Sequence, residues 1–213
     1  MIALQRRPPR FAHAKLHHQA ADLADAQAAQ SAAAAIAGTH PVRYLVNNAG
    51  ANRPGLLGQA TVEDLDYGYA LNVRAAVILI KAFAPGMREA KFGRIVNISS
   101  RAILGKTHRT VYSAGKAALA GITRTLCLEP GGDAITINAL APGPVATELF
   151  DNDHPIGSAK RQSVIDSIPV KRVGTPDDIA RVAAFLLEPE SGYITGQTIF
   201  VCGGTSVSGS GGA

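Results

Sequence analysis

VRYLVNNAG (42–50) is the stretch on which the reading of this chain turns. Its first part, VRYLVN (42–47), is too short for a helix and reads as a buried strand, and Asn48-Ala49-Gly50 then makes a tight turn. Similar short apolar runs recur at RIVNIS (94–99), AITINAL (134–140) and QTIFVC (197–202), with Ile2–Leu4 as the end of a further strand and LHHQAA (16–21) as another candidate. Longer helical stretches separate them: Asp22 to Ala37, stopped by Gly38; Thr61 to about Arg88, where Thr61 and Asp64 have capping-box-like spacing; and Thr110 to Leu128. Thr175-Pro176-Asp177-Asp178 opens one more helix, with Thr as cap, Pro at the first position and acids in the first turn. Strands alternating with helices predict an α/β fold with a doubly wound parallel sheet.

The 213 residues suit one domain, read as 1–205 with a loose Gly/Ser tail at 206–213. A composition of 46% hydrophobic and 17% charged residues is that of a soluble α/β protein. The net charge of +5 comes from scattered residues without interleaved aromatics, which argues against nucleic acid as a partner. No apolar stretch looks long enough to cross a bilayer and no signal-peptide core is present, so the expected setting is cytoplasmic. The first residues carry Arg6, Arg7, Arg10 and Lys15 without an acid, but Pro8 and Pro9 oppose the amphipathic helix of a transit peptide. Cys127 and Cys202 read as reduced structural thiols, and the six histidines have no ligand spacing, so no metal site is expected. The polar segment 145–173 reads as an irregular lid or binding loop, whose Lys160, Arg161, Lys171 and Arg172 are candidates to meet an acidic substrate or carrier.

Chemistry enters with VYSAGK (111–116), where Tyr112 and Lys116 stand four apart on a helix and share a face. A phenol is a poor acid-base catalyst at neutral pH, and a neighbouring ammonium would favour the phenolate and lower its pKa. LVNNAG (45–50), Ser99-Ser100 and APGPVATE (141–148) all sit at strand ends, and in a parallel sheet these ends share one edge, where such folds bind ligands.

With the NNAG turn, Asn72 in ALNV, the serine pair, Tyr-x-x-x-Lys, the Pro-Gly turn and GYITGQTIFVCGG (192–204), the chain resembles the short-chain dehydrogenases/reductases, close to the 3-oxoacyl-carrier-protein reductase type, over about Asp22 to Gly204. The resemblance implies a Rossmann-like fold and an NAD(P)-dependent oxidoreductase that interconverts a carbonyl and an alcohol, with a 3-oxoacyl thioester among the implied substrates. NADP is the implied cofactor and NAD the alternative. Tyr112 would be the proton donor, Lys116 would hold the nicotinamide ribose, a serine would bind the carbonyl oxygen, and Asn72 would anchor a water relay. Spacing from Tyr112 gives Ser99 as that serine; strand register gives Ser100, which is preferred. Asn48, Ala49, Gly50, Pro142, Gly143 and Thr147 would line the cofactor, Asp22 and Leu23 would sit by the adenine, and Arg6 and Arg7 would grip a 2′-phosphate or else be solvated surface charge. Homodimers or homotetramers are implied, through the helices at 61–88 and 110–128 and through the C-terminal region.

The family pattern also has a first strand, a Gly-rich loop and a helix ahead of Ile2–Leu4, so the sheet is expected to be N-terminally incomplete, with buried strand edges unpaired. The alternative function that follows is a catalytically impaired homologue acting as a binding or scaffolding protein.

Overall fold

The computed structural model describes residues 1–129 and 131–208. The strands are β1 (Ile2–Leu4), β2 (His17–Gln19), β3 (Tyr44–Asn47), β4 (Gly93–Ile98), β5 (Ile135–Pro142) and β6 (Thr198–Val201). All pairings are parallel, as the sequence predicts, but they fall into two sheets, β1-β2 and β3-β4-β5-β6. The α/β, Rossmann-like parallel architecture is therefore present. Between the sheets lies a cavity of about 1110 Å³, walled by Ile2 and Leu4 on one side and by Leu45 and Asn47 on the other. Met1 O and Gln5 N bond to β2, and Arg43 O bonds to β4. By the alternation of a strand, the backbone groups of Ile2, Leu4, Tyr44 and Val46 turn into the cavity and pair with no described strand.

Alternation along the central strands divides the core between two faces. Ile95, Ile135 and Ile137 pack with Ala33 and Ile36 of α1 (Ala26–Thr39) and with Leu79, Ile80, Phe83 and Met87 of a long helix. Val96 and Leu140 pack instead on Leu186 and its neighbours. That long helix is α2 (Val62–Tyr69) continued through a π-turn at Ala70–Arg74 into α3 (Ala75–Glu89). The remaining helices are α4 (Thr110–Leu126), α5 (Glu148–Asp153), α6 (Ala159–Ser167) and α7 (Pro176–Leu187).

Several expectations need correction. α1 begins after Asp25, whose carboxylate accepts from Ala28 N at 2.7 Å, because Asp22 is engaged in a turn with Ala24 N. The helix also runs through Gly38 and ends at Thr39, capped by His40 rather than by a glycine. The expected irregular lid holds two short helices, capped by Thr147 and Ser158; their polar sequence hid them, as no apolar stripe marks a helix that covers a cavity edge. The run Val62–Glu89, at 28 residues, is by length and composition apolar enough to span a bilayer, contrary to expectation. Half of its most apolar window is buried, and Leu79, Ile80, Phe83 and Met87 are core residues, so its apolarity is accounted for by packing. Of the tail, Ser206 to Ser208 form a turn held by Val207 N and Ser208 N to Gly204 O, and 209–213 lie outside the described residues.

Arg94 closes the sheet end opposite the candidate site. It is 4% exposed, and its guanidinium donates to the carbonyls of Gly93, Ala134, Glu188 and Pro189 while lying over the Phe92 ring at 4.4 Å. Replacing Arg94 by Ala removes four hydrogen bonds to carbonyls and is expected to lower unfolding free energy by about 2–4 kcal/mol, read from urea denaturation; a loss within error of zero would refute this role.

Candidate functional site

Because β3, β4 and β5 are parallel, Asn48–Gly50, Ser99-Ser100 and Pro142-Gly143 emerge on the same edge. They open on a second cavity of about 800 Å³, lined also by Tyr112, Lys116, Thr147 and Phe150.

Lys116 is the centre of the site. It is 3% exposed, its ammonium donates to Ile98 O at 2.7 Å, and it lies 5.8 Å from the centre of the Tyr112 ring. Burial holds its pKa down to about 8. Gly50 makes room for it: a Cβ there would stand 2.9 Å from Lys116 Nζ and 2.7 Å from Asn72 Oδ1.

Asn72 occupies the π-turn and is 1% exposed. Its amide nitrogen donates to Gly68 O at 2.9 Å and Ala51 O at 3.0 Å, and its oxygen accepts from Ala51 N at 3.2 Å. One side chain thus ties the helix to the turn after β3. The wider helical turn is where this side chain can reach back to Gly68 and out to Ala51 together.

The two serines separate cleanly. Ser99 is 2% exposed and its hydroxyl donates to Lys116 O at 2.8 Å, locking β4 to α4. Ser100 accepts from Ala102 N at 3.1 Å and lines the cavity with Tyr112, whose phenolate its hydroxyl favours. Tyr112 differs from the sequence expectation in sign. Burial pushes its pKa up, and the opposing pull comes from Ser100 and then from the Arg109 charge; Lys116, beside the ring and itself desolvated, exerts no resolved pull.

Pro142 ends β5, and Gly143 packs so closely that a Cβ would come within 2.8 Å of Cys202 Cα. Thr147 caps α5. Arg6, Asp22, Leu23, Asn48, Ala49 and Gly50 line the larger cavity between the sheets, with Arg6 3.7 Å from Asp22 and Leu23 buried. Arg7 lines neither cavity and is exposed, so it is not brought to the site. Three of the four lid cations are occupied elsewhere: Arg161 binds Asp151 and His154 O, Lys171 binds Asp166 O, and Arg172 grips Asp178 with two nitrogens; Lys160 is exposed and lines neither cavity. Besides Lys116, the Lys and Arg residues that line the site are Arg101, Lys106 and Arg109, which the sequence reading passed over because they are scattered along a loop.

Two outcomes are expected. Ser99→Ala removes the buried hydrogen bond that joins β4 to α4 and should lower stability by about 1–2 kcal/mol, whereas Ser100→Ala, whose hydroxyl faces the cavity, should change it by less than about 1 kcal/mol; the reverse order in urea unfolding would overturn the assignment. For Lys116 the folded pKa of about 8 lies below the model value of 10.5, so the unfolded chain binds more protons between them and this residue's contribution to stability rises with pH through that window. Lys116→Met should therefore be more stable than the parent at pH 7, with the gap narrowing by pH 9.5; a constant gap would exclude the depressed pKa.

Known proteins give the same picture. A family model described as Enoyl-(Acyl carrier protein) reductase matches residues 10–206. A (2S)-[(R)-hydroxy(phenyl)methyl]succinyl-CoA dehydrogenase subunit, BbsD of Thauera aromatica, is 40% identical over 78% of this chain, which spans 66% of that relative's length. Among solved structures, a 3-oxoacyl (acyl-carrier-protein) reductase from Agrobacterium tumefaciens with NADP bound superposes with TM-score 0.88 at 27% identity, covering 95% of this chain and 83% of that one. An NAD(P) dependent gluconate 5-dehydrogenase from Beutenbergia cavernae, with bound NADP, gives TM-score 0.86 at 32% identity, covering 91% and 78%. The chain belongs to the short-chain dehydrogenase/reductase family.

Proposed function

We propose that this protein is an NAD(P)-dependent oxidoreductase that reduces a carbonyl to an alcohol, or runs the reverse, with Tyr112 as proton donor. The observation that carries this reading is the convergence of the Ser100 and Tyr112 hydroxyls and the buried Lys116 ammonium on one cavity beside the bare Cα of Gly50. A silent scaffold has no use for a desolvated ammonium held against a tyrosine.

The cofactor fits the ends of the site. Lys116, Asn48 and Gly50 would hold the nicotinamide ribose; Pro142, Gly143 and Thr147 would flank the nicotinamide; Asp22 and Leu23 would sit by the adenine, with Arg6 toward a 2′-phosphate. NADP-bound neighbours in the family support NADP over NAD. When bound, the reduced cofactor supplies a hydride. Tyr112, its pKa raised by burial, is protonated at neutral pH and can give its proton to the carbonyl oxygen, while Ser100 hydrogen-bonds the same oxygen. Arg109 and Ser100 then favour the phenolate that remains, and Lys116, titrating at about 8, is poised to exchange a proton near working pH. Asn72 acts as a positioning residue, since all its recorded bonds fix the turn at Ala51 and the helix at Gly68. Exposed Val62, Leu65 and Tyr69 on α2 support an oligomer built on that helix.

The cavity of about 1110 Å³ between β1 and β3 favours a second reading, a scaffolding protein with impaired cofactor binding. Calorimetry with NADPH decides: absent binding overturns the reductase and leaves the scaffold. With binding established, Tyr112→Phe should lower turnover about 10²–10⁴-fold while leaving NADPH affinity unchanged; retained turnover would remove Tyr112 as the donor.

A further inference from the structure

Arg101, Lys106 and Arg109 come from the loop that joins β4 to α4, and all three line the cavity that holds Ser100 and Tyr112. Asp153 is the single acid among the lining residues, and it stands 3.8 Å from Arg109, a long ion pair for a guanidinium whose side chain is only 16% exposed. Arg101 reaches only the Thr205 carbonyl, at 3.5 Å, and Lys106 has no hydrogen bond or ion pair among the described residues. The cavity wall therefore carries more positive charge than its own acids answer.

The loop that carries them is fixed, with Arg101 and Arg109 half-buried and Lys106 exposed at its rim. Gly55 N bonds to His108 O at 3.1 Å, Ala102 N bonds to Ser100 Oγ at 3.1 Å, and His108 takes a left-handed φ of 60° within the loop. Arg109 is the residue immediately ahead of α4, its carbonyl accepting from Ser113 N at 2.7 Å, and it lines the same cavity as Tyr112 three residues on. Desolvation, then the Arg109 and Arg101 charges, hold Lys106 below the usual lysine range against the pull of Asp153, as expected of cations crowded without enough counter-charge.

We propose that this cavity takes a carbonyl compound bearing its own carboxylate a few bonds from the carbonyl, with the carboxylate held by Arg101, Lys106 and Arg109; the carbonyl half of the proposal rests on the reductase reading. Position selects this class over a neutral acyl chain on a phosphorylated carrier. Arg109 lines the same cavity as Tyr112 and its charge acts on the phenol, so the anion it meets lies close to the reacting carbon, whereas carrier phosphates are separated from it by a long linker. Phe150 and Val164 supply the apolar cover for the atoms in between.

The test is an NMR titration of the 213-residue chain with 4-oxopentanoate and with its methyl ester, which reads binding whether or not turnover occurs. The carboxylate should bind at least about tenfold more tightly than the ester, the effect of one charge-assisted hydrogen bond. Lys106→Met combined with Arg101→Gln should abolish the preference, and Lys81→Met, an exposed charge on α3, should retain it. Equal affinities, binding of neither compound, or a preference that survives the double substitution overturns the anion site. A clear preference without any NADPH-dependent turnover upholds the anion site and refutes the reductase reading instead.

Discussion

An ammonium group buried against one carbonyl is the constraint around which this structure is arranged. Desolvating a charge is costly unless it is paired, and Lys116 has Ile98 O as its recorded partner. Everything adjacent makes that position tenable. Ser99 fixes the Lys116 backbone to β4, Gly50 stays without a side chain, and the Asn72 oxygen lies alongside. The depression of Lys116 to about 8 measures what remains uncompensated. A group held near its titration point is suited to exchanging protons, so the destabilising feature is also the chemically useful one.

The same constraint explains an irregularity in the backbone. A regular α-helix through Ala70–Arg74 would give Asn72 a different reach; the π-turn lets its amide serve Gly68 and Ala51 together. Gly68 in turn has no Cβ where Val111 of α4 packs, a contact that a side chain would close to 2.6 Å. Helix and turn, and through Gly68 also α4, are thereby set relative to Lys116 by a few small residues and one carboxamide. The long apolar helix is long because it crosses both the core and the site.

What could be read from sequence was what local chemistry dictates. β3, β4, β5 and α7 lie close to their predicted places because buried strands are continuously apolar and Thr175-Pro176-Asp177-Asp178 satisfies the first turn of its helix. Ser100 over Ser99 followed from register, and the Ser99 bond to α4 is consistent with that preference. Less legible were features decided by tertiary contact. Gly38 did not end α1, since nothing crowds it and the chain could continue; α5 and α6 have polar sequences and emerge only as cover over a cavity. Arg7 shared its reading with Arg6, yet only Arg6 lines the cavity, because the chain bends over Gln5–Arg7 just after β1 ends.

The sign of the Tyr112 shift shows how a spacing rule can be right about proximity and wrong about effect. Four residues on a helix do bring Lys116 beside the Tyr112 ring, but the ammonium sits 5.8 Å from the ring centre and bonds inward to Ile98 O. The cation that favours the phenolate is Arg109, from the loop side of the cavity, and it opposes a larger effect of burial. The two sides of the site thus divide the electrostatic work. The inner amine shapes the Gly50 end of the cavity, and the outer guanidinium, aided by the Ser100 hydroxyl, favours the charge that a departing proton would leave on the phenol. Because Arg109 answers to the phenolate and faces the cavity at once, an anion bound there would weaken its pull on Tyr112, keep the phenol protonated, and so couple occupancy of the outer cavity to the protonation state that a carbonyl reduction requires.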